Sequence, residues 1–476
     1  MIKQESDTIC AIATATGRAG IGIVRLSGPK AVSISEQIIG ITLKPRRATL
    51  ANMRSARSEL IDSGIALFFK SPHSFTGEDV VELQGHGGSQ VLISILDQCV
   101  ALGARLAAPG EFSERAFLNG KIDLLQAEAI ADLIDASSAQ AARSAMRTLQ
   151  GVFSEKIHLI VQDITIIRAN VEAAIDFSDE DIDIMGSAGV SEAMQTANQR
   201  LTQVFQVAQQ GLVIKDGITV VLAGTPNAGK SSLLNALAGT DTAIVTNIPG
   251  TTRDVLRQEI NLNGLPVHII DTAGLRYTKN IVEQEGVRRA ISALDEADLI
   301  LLVTDSTMYS DQELIPIVKT LWAGNYDDDI ADDKNALAEL DLLLGRLCVV
   351  FNKIDLISNR ESGVSSTSYR GHVLKLFRLS AKTTEGLNEL KDHLIEIADY
   401  QSIGEGNFSA RERHLTALAN AQEALSTAIT GLEERLPLEL IAEDLRRVQD
   451  YLSAITGEVT SDDLLGEIFS SFCIGK

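Results

Sequence analysis

A chain of 476 residues with 45% hydrophobic side chains is long enough for about three domains of ~150 residues, each with its own core. The net charge of −22 opposes non-specific binding to nucleic acid, so an RNA substrate has to meet a local basic patch or be held by a partner. Cys10, Cys99, Cys348 and Cys473 are scattered without a C-x-x-C pair, which argues for reduced thiols and against a disulfide framework or a zinc site.

No run of residues is long and apolar enough to span a bilayer. Met1-Ile2-Lys3-Gln4-Glu5-Ser6 lacks the basic-then-apolar order of a secretory signal, so a cytoplasmic location is expected. Residues 1–119 read as a mixed α/β domain. The strand-like runs Thr8–Ala13, Gly20–Leu26, Gly64–Phe69 and Val80–Leu83 alternate with helical segments such as Val91–Leu102. Gly17-Arg18-Ala19-Gly20-Ile21-Gly22 has the wrong glycine order for a dinucleotide loop and reads as a tight turn. Ser74–Asp79 and Gln84-Gly85-His86-Gly87-Gly88 read as polar loops flanking a strand that carries Glu82.

From Lys121 the apolar period becomes helical, and residues 120–215 form a helical segment. Ile122, Leu125, Ala129 and Leu133 share one face, as do Ile160, Ile164, Ile167 and Val171. The acidic run Asp176–Asp183 lacks the glycine and terminal Glu of a calcium loop and reads as a solvated connection. Residues 216–384 alternate strand and helix again, with strand-like runs at Val267–Ile270, Leu299–Val303, Leu347–Phe351 and Val373–Leu379. That alternation predicts a mostly parallel sheet covered on both faces. Residues 324–341 are acidic, poor in pattern, and read as a surface insertion. Residues 385–476 return to helix after a polar joint at 401–407. Leu418, Leu425, Ile429 and Leu432 share a face, Pro437 breaks the run, and Ile441, Leu445, Val448, Leu452 and Ile455 form a second seam. The expected fold class is therefore α/β plus α: a nucleotide domain inserted in a discontinuous helical domain, behind an N-terminal α/β domain. The tail Phe472-Cys473-Ile474-Gly475-Lys476 fits prenylation poorly.

The chemistry centres on Gly224–Ser232, which fits G-x-x-x-x-G-K-[ST] between the apolar run Ile218–Ala223 and the helix-forming run Leu233–Leu237. Gly224 and Gly229 let backbone N–H groups point at phosphate oxygens, and the following helix presents its positive end to the same anion. Lys230 reaches the β/γ phosphates and the Ser231 hydroxyl ligates Mg²⁺. Asp271-Thr272-Ala273-Gly274 ends a strand, where Asp271 can hold the metal's water shell and the Gly274 N–H can sense the γ-phosphate. Between these lies Gly250-Thr251-Thr252-Arg253-Asp254, whose Thr252 is the switch ligand to Mg²⁺. In Asn352-Lys353-Ile354-Asp355 a carboxylate can accept from guanine N1–H and the exocyclic amine, a donor pair that adenine lacks. Ser380-Ala381-Lys382 closes over the base. Leu275 stands where a water-orienting glutamine is found in Ras-type sites. Glu283, in the same switch, reads either as the substitute or as an ordinary exposed helical glutamate. Asn227 is a candidate oxygen ligand for a monovalent cation beside the phosphates.

Further motifs are more specific. They are Phe-Thr-Gly-Glu-Asp-Val at 75–80, Gln-Gly-His-Gly-Gly at 84–88, Pro-Gly-Glu-Phe-Ser-Glu-Arg-Ala-Phe-Leu-Asn at 109–119, the stretch Asp123–Ser138, and the terminal Phe-Cys-Ile-Gly-Lys. With Gly-Thr-Thr-Arg-Asp-Val at 250–255 and Asp-Thr-Ala-Gly-Leu-Arg at 271–276, they make the chain resemble the MnmE (TrmE) family of tRNA modification GTPases over nearly its whole length. The resemblance implies an N-terminal folate-binding and dimerising domain at 1–119, a helical domain at 120–215 and 385–476, and a G domain at 216–384.

It implies a homodimer acting with the FAD protein MnmG (GidA), in a heterotetramer or larger complex. Together they add a carboxymethylaminomethyl or aminomethyl group to position 5 of the wobble uridine of certain tRNAs. The one-carbon unit comes from 5,10-methylenetetrahydrofolate, and 5-formyltetrahydrofolate is a ligand of the same site. Glycine or ammonium supplies the nitrogen. The nucleotide site takes in Asn227, Ala228, Gly229, Lys230, Ser231 and Ser232, the switch residues Thr246, Asn247, Ile248, Pro249, Gly250, Thr251 and Thr252, and the motif residues above. Potassium falls to Asn227 with Thr246, Ile248 and Thr251, and Mg²⁺ to Ser231 and Thr252. Glu283 corresponds to the water-orienting glutamate. Arg25, Glu82, Lys121 and Lys476 correspond to folate contacts, and Cys473 packs near that pocket without acting as a nucleophile. A rival from another class is a ribosome-assembly GTPase working as a binding switch, but no RNA-binding module such as KH is visible. A membrane-transport GTPase lacks a spanning segment.

Overall fold

A computed structural model describes residues 7–15, 17–176, 188–239, 257–271, 294, 297–308, 341–358, 362–398, 408–458, 462–473 and 475. The chain forms two compact units. One comprises Met1–Asp135, Ala145–Phe205 and Arg413–Lys476; the other comprises Ala136–Ser144 and Gln206–Glu412.

The first unit opens with β1 (Ile9–Ile12), β2 (Ala19–Ser27), α1 (Ala31–Ile39), β3 (Thr49–Arg54), β4 (Leu60–Phe69), β5 (Val80–Gly87), α2 (Ser89–Ala101), β6 (Arg105–Leu106) and α3 (Glu111–Leu118). The strands form one sheet in the order β3-β4-β5-β2-β1-β6, antiparallel except where β6 joins β1. Alternation sets its two faces. Val24, Leu26, Val81 and Leu83 turn toward Ile34 and Ile38 of α1 and Ile95 and Cys99 of α2, and all are buried. The opposite face carries Arg25 and Glu82, directly paired across β2 and β5.

The expectation of a loop at 84–88 is corrected: β5 runs on through Gly87. Its glycines are there for room, not for a turn. A Cβ on Gly85 would lie 2.4 Å from Asp62 Oδ2, and one on Gly87 would lie 2.6 Å from the Ala19 carbonyl.

The helices α4 (Leu124–Asp135), α5 (Ala139–Leu149), α6 (Val152–Asp176) and α7 (Ala188–Asp216) follow. The chain then builds the second unit's sheet: β7 (Ile218–Gly224), α8 (Lys230–Ala238), β8 (Arg257–Leu262), β9 (Leu265–Asp271), β10 (Leu299–Asp305), β11 (Leu347–Asn352), β12 (Gly363–Tyr369), β13 (His372–Arg378) and α9 (Leu387–Ile397). The order is β12-β13-β11-β10-β7-β9-β8. The five inner strands are parallel and apolar on both faces, and an antiparallel strand closes each edge.

Those two edge strands are absent from the sequence reading, because Arg257–Leu262 and Gly363–Tyr369 lack an apolar run. Their hairpin turns were the available signal. Asn263-Gly264 (φ 54 and 100) and Arg370-Gly371 (φ 50 and 87) are two-residue turns with both φ positive. Leu387, Leu390 and Leu394 of α9 are buried in the core of this sheet.

The first unit is completed by α10 (Glu412–Glu433), α11 (Leu438–Thr456) and α12 (Asp462–Ser470). The stripe Ile441, Leu445, Val448, Leu452 and Ile455 is fully buried on α11, which packs along α6 and its Ile160, Ile164, Ile167 and Val171. On α10 the buried stripe is His414, Leu418, Ala421, Leu425 and Ala428, ending at Gly431. Ile429 and Leu432 are only half-buried beside it. The result is the expected class, α/β plus α, with a phosphate-loop sheet and helices from distant parts of the chain.

Candidate functional site

The carboxyl ends of five parallel strands place Gly224, Asp271, Asp305, Asn352 and the segment after Arg378 along one edge of the second unit's sheet. In register, Gly224 faces Val303 and Asp305 faces Asn352. Ligands of open α/β sheets bind at this edge. Gly224 (φ 132) and Gly229 (φ 93) hold left-handed backbone, and Asn227 (φ 63) does so despite its side chain. A Cβ on Gly229 would stand 2.3 Å from Asn352 Nδ2. The loop therefore turns tightly from β7 into α8, whose N-terminal N–H groups face the enclosed space.

Lys230 is buried, and its Nζ donates to the carbonyls of Gly224 at 2.7 Å and Thr225 at 3.1 Å. Burial pushes the Lys230 amine below its usual range, and the nearby Asp271 carboxylate works against that shift. Ala228 is buried, while Asn227, Ser231 and Ser232 are exposed.

One side chain ties the base-side loops to the phosphate loop. Asn352 is 1% exposed. Its Nδ2 donates to the Ala228 carbonyl at 2.9 Å, and its Oδ1 accepts from the N–H groups of Lys353 at 2.8 Å and Ala381 at 2.9 Å. Ser380 Oγ donates to Asp355 Oδ1 at 2.7 Å and accepts from the Thr383 N–H at 3.2 Å, which fixes the exposed carboxylate of Asp355. Lys382 is exposed beside it.

Sequence reasoning missed Asp305. Its Oδ2 pairs with Lys353 Nζ at 2.7 Å, and its Oδ1 accepts from the Thr307 N–H and hydroxyl. Burial favours the protonated Asp305 carboxyl, but these bonds outweigh burial and hold the group below the usual carboxylate range. Its signal was a carboxylate ending the run Leu299–Val303, parallel to the strand that ends in Asn352.

Thr246, Asn247, Ile248, Pro249, Gly250, Thr251, Thr252, Thr272, Ala273, Gly274, Glu283 and Lys476 lie outside the described residues. So do the acidic stretch 177–183 and residues 324–340.

On the first unit's open sheet face, Arg25 donates to Glu82 Oε1 from Nε at 3.1 Å and from a terminal nitrogen at 3.0 Å. It also reaches the Gly475 carbonyl at 3.5 Å. Its guanidinium lies 6.0 Å from the Phe75 ring centroid and 5.7 Å from that of Phe112. Glu82 Oε2 accepts from Gln84 Nε2 at 3.2 Å. Lys121 donates to the Pro72 carbonyl at 3.0 Å, and its stem would be 3.3 Å from a Cβ on Gly77. The fold thus brings Arg25, Glu82 and the chain's tail together, with Lys121 on the loop that carries Phe75. Cys473 is exposed rather than packed, and its carbonyl accepts from the Gly110 N–H at 3.4 Å.

Two family models match the chain: "MnmE helical domain" over residues 124–473 and "GTP-binding protein TrmE N-terminus" over residues 8–121. A tRNA modification GTPase MnmE of Saccharophagus degradans is 51% identical over 477 residues, covering 100% of both chains. The protein of the same name from Marinobacter nauticus is 51% identical over 475 residues, again with 100% of both chains covered. That of Pasteurella multocida is 50% identical, covering 99% of this chain and 100% of its own.

Proposed function

The chain belongs to the MnmE family of tRNA modification GTPases, and from that premise we propose that it hydrolyses GTP to drive modification of the wobble uridine of certain tRNAs. The observation that carries the nucleotide half is the Asn352 side chain, bonded at once to the phosphate loop and to both base-side loops.

The phosphates lie against the N–H groups of 224–232 and the N-terminus of α8. Their arrival draws Lys230 away from the Gly224 and Thr225 carbonyls. Guanine N1–H and the exocyclic amine donate to Asp355, which Ser380 holds from one side. The donor set at the phosphates is made of hard oxygens, from Ser231 at the start of α8, Asp271 and Asn227, and it suits Mg²⁺ and K⁺. Ser231 and Thr252 would hold Mg²⁺. Asn227 with Thr246, Ile248 and Thr251 would hold K⁺, which neutralises charge developing between the phosphates. Glu283 orients the attacking water in place of the glutamine that Leu275 replaces.

In the first unit, Arg25, Glu82, Lys121 and Lys476 bind a tetrahydrofolate that supplies the one-carbon unit. The pairing of a guanidinium with a carboxylate on an open face, flanked by Phe75 and Phe112, suits a flat heterocycle with an amine donor edge and a carboxylate tail. We further propose a homodimer, partnership with the FAD protein MnmG, and a cytoplasmic location. The domain limits would be 1–119, 120–215 with 385–476, and 216–384.

Nucleoside analysis tests the reading. tRNA from cells lacking this gene should lose the 5-substituted wobble uridine, and restoring the gene should bring it back. An unchanged nucleoside profile would refute the proposal.

A further inference from the structure

The nucleotide site makes no use of Gln84-Gly85-His86-Gly87-Gly88, and two of its glycines are arranged around one side chain. Asp62 on β4 accepts the His86 N–H through Oδ2 at 2.7 Å. Its Oδ1 lies 2.8 Å from His86 Nδ1 and also accepts the Ser63 N–H at 2.8 Å. A carboxylate that takes two backbone N–H groups is ionised and can only accept, so the imidazole donates from Nδ1. Its Nε2 then keeps a lone pair. That nitrogen faces outward, because the His86 side chain is 75% exposed while that of Asp62 is 9% exposed. Burial works to raise the Asp62 carboxyl, and the bonds from His86 and Ser63 outweigh it, holding the carboxyl below its usual range.

Gly85 leaves space for that carboxylate, and Gly87 leaves space for the Ala19 and Ile21 carbonyls of β2. The other neighbours of this stretch are Val91 and Ile95 of α2. None of these titrates, so Asp62 is the ionisable group facing His86 among the described residues. An ordinary surface histidine moves among rotamers; this one is held at backbone and ring by a single carboxylate.

Strand alternation lays Glu82, Gln84 and His86 on one face of β5, with His86 roughly 13 Å beyond Glu82. An elongated ligand held by Arg25 and Glu82 and running along β5 passes under Nε2. We propose that His86 is the base that deprotonates the amine substrate, a primary amine or ammonium ion, at this one-carbon site, with Asp62 as its positioning residue. The proposal rests on the folate reading above. In the step, R–NH₃⁺ gives one proton to Nε2 and the N–H electron pair stays on nitrogen as the lone pair of R–NH₂. The Asp62 carboxylate balances the new imidazolium charge. The freed amine then attacks the one-carbon unit.

The test uses the full-length protein with its partner, tRNA, reduced folate, GTP and the amine, and follows the modified nucleoside against pH. His86→Gln should slow modification about 10²-fold near neutral pH, and the rate should recover as pH rises and the amine loses its own proton. Asp62→Asn should show a smaller loss with the same recovery. Should His86→Gln fail to fold, as judged by its melting curve, Asp62→Asn carries the pH test alone. A loss equal at every pH, or no loss, overturns the proposal. If the wild-type system makes no modified nucleoside, the folate reading itself fails and the proposal falls with it.

Discussion

Asn352 Nδ2 donates to the Ala228 carbonyl at 2.9 Å across 124 residues of sequence, and this bond joins the two halves of the nucleotide site. Truncation by Asn352→Ala orphans that carbonyl and the N–H groups of Lys353 and Ala381. Each lost buried partner costs about 1–3 kcal/mol. The second unit should melt earlier, and guanine-nucleotide affinity should fall at least about tenfold in a fluorescence titration. Unchanged affinity would show that the strut is dispensable.

Asp355 presents a carboxylate fixed from one side by Ser380 Oγ. Replacing it with Asn turns one acceptor into a donor that opposes the guanine amine. Two hydrogen bonds to a charged group are worth roughly 1.5–3 kcal/mol each, so Asp355→Asn should weaken GTP by ~10²–10⁴-fold. It should also improve binding of a nucleotide whose base carries a carbonyl at that position. Competition binding with the two nucleotides reads both changes, and equal GTP preference in the variant would remove the guanine assignment.

If a monovalent cation sits beside Asn227, GTP turnover should be much faster in potassium than in sodium at equal ionic strength. Asn227→Ala should erase the difference. Glu283→Ala should slow hydrolysis by on the order of 10²-fold or more while leaving the nucleotide Kd within about threefold. Equal rates in the two salts, or parallel losses of binding and turnover in Glu283→Ala, would count against these roles.

In the first unit, Glu128 on α4 is buried between Arg413 and His414 at the start of α10, with contacts of 2.7 and 2.8 Å. Burial favours the protonated carboxyl, but the charge and hydrogen bonds of His414 and Arg413 outweigh it and hold Glu128 far below the ordinary carboxylate range. Because the folded-state value is the lower one, this stabilisation is complete above about pH 4.3, the unfolded value, and is lost as pH falls through the folded value. Glu128→Gln should destabilise the unit by about 3–5 kcal/mol near neutral pH. It should also flatten the acid limb of a stability-against-pH curve. An acid limb identical to that of the wild type would assign the transition to other carboxylates.

Local spacing in the chain was enough to determine that a phosphate loop joins an apolar strand to a helix, that Ile441–Ile455 forms a helical seam, and that helices on either side of the sheet belong to one class of fold. Periodicity, glycine placement and short motifs act within a few residues, so they survive without a structure. Only the tertiary structure decided which distant groups meet. It paired Asp305 with Lys353, turned Arg25 toward Glu82 and Gly475, placed Asp62 against His86, and made strand of a stretch whose glycines suggested a loop. Those pairings depend on sheet order and register, and on how closely two backbones approach, and none of these is written in the spacing of any single segment.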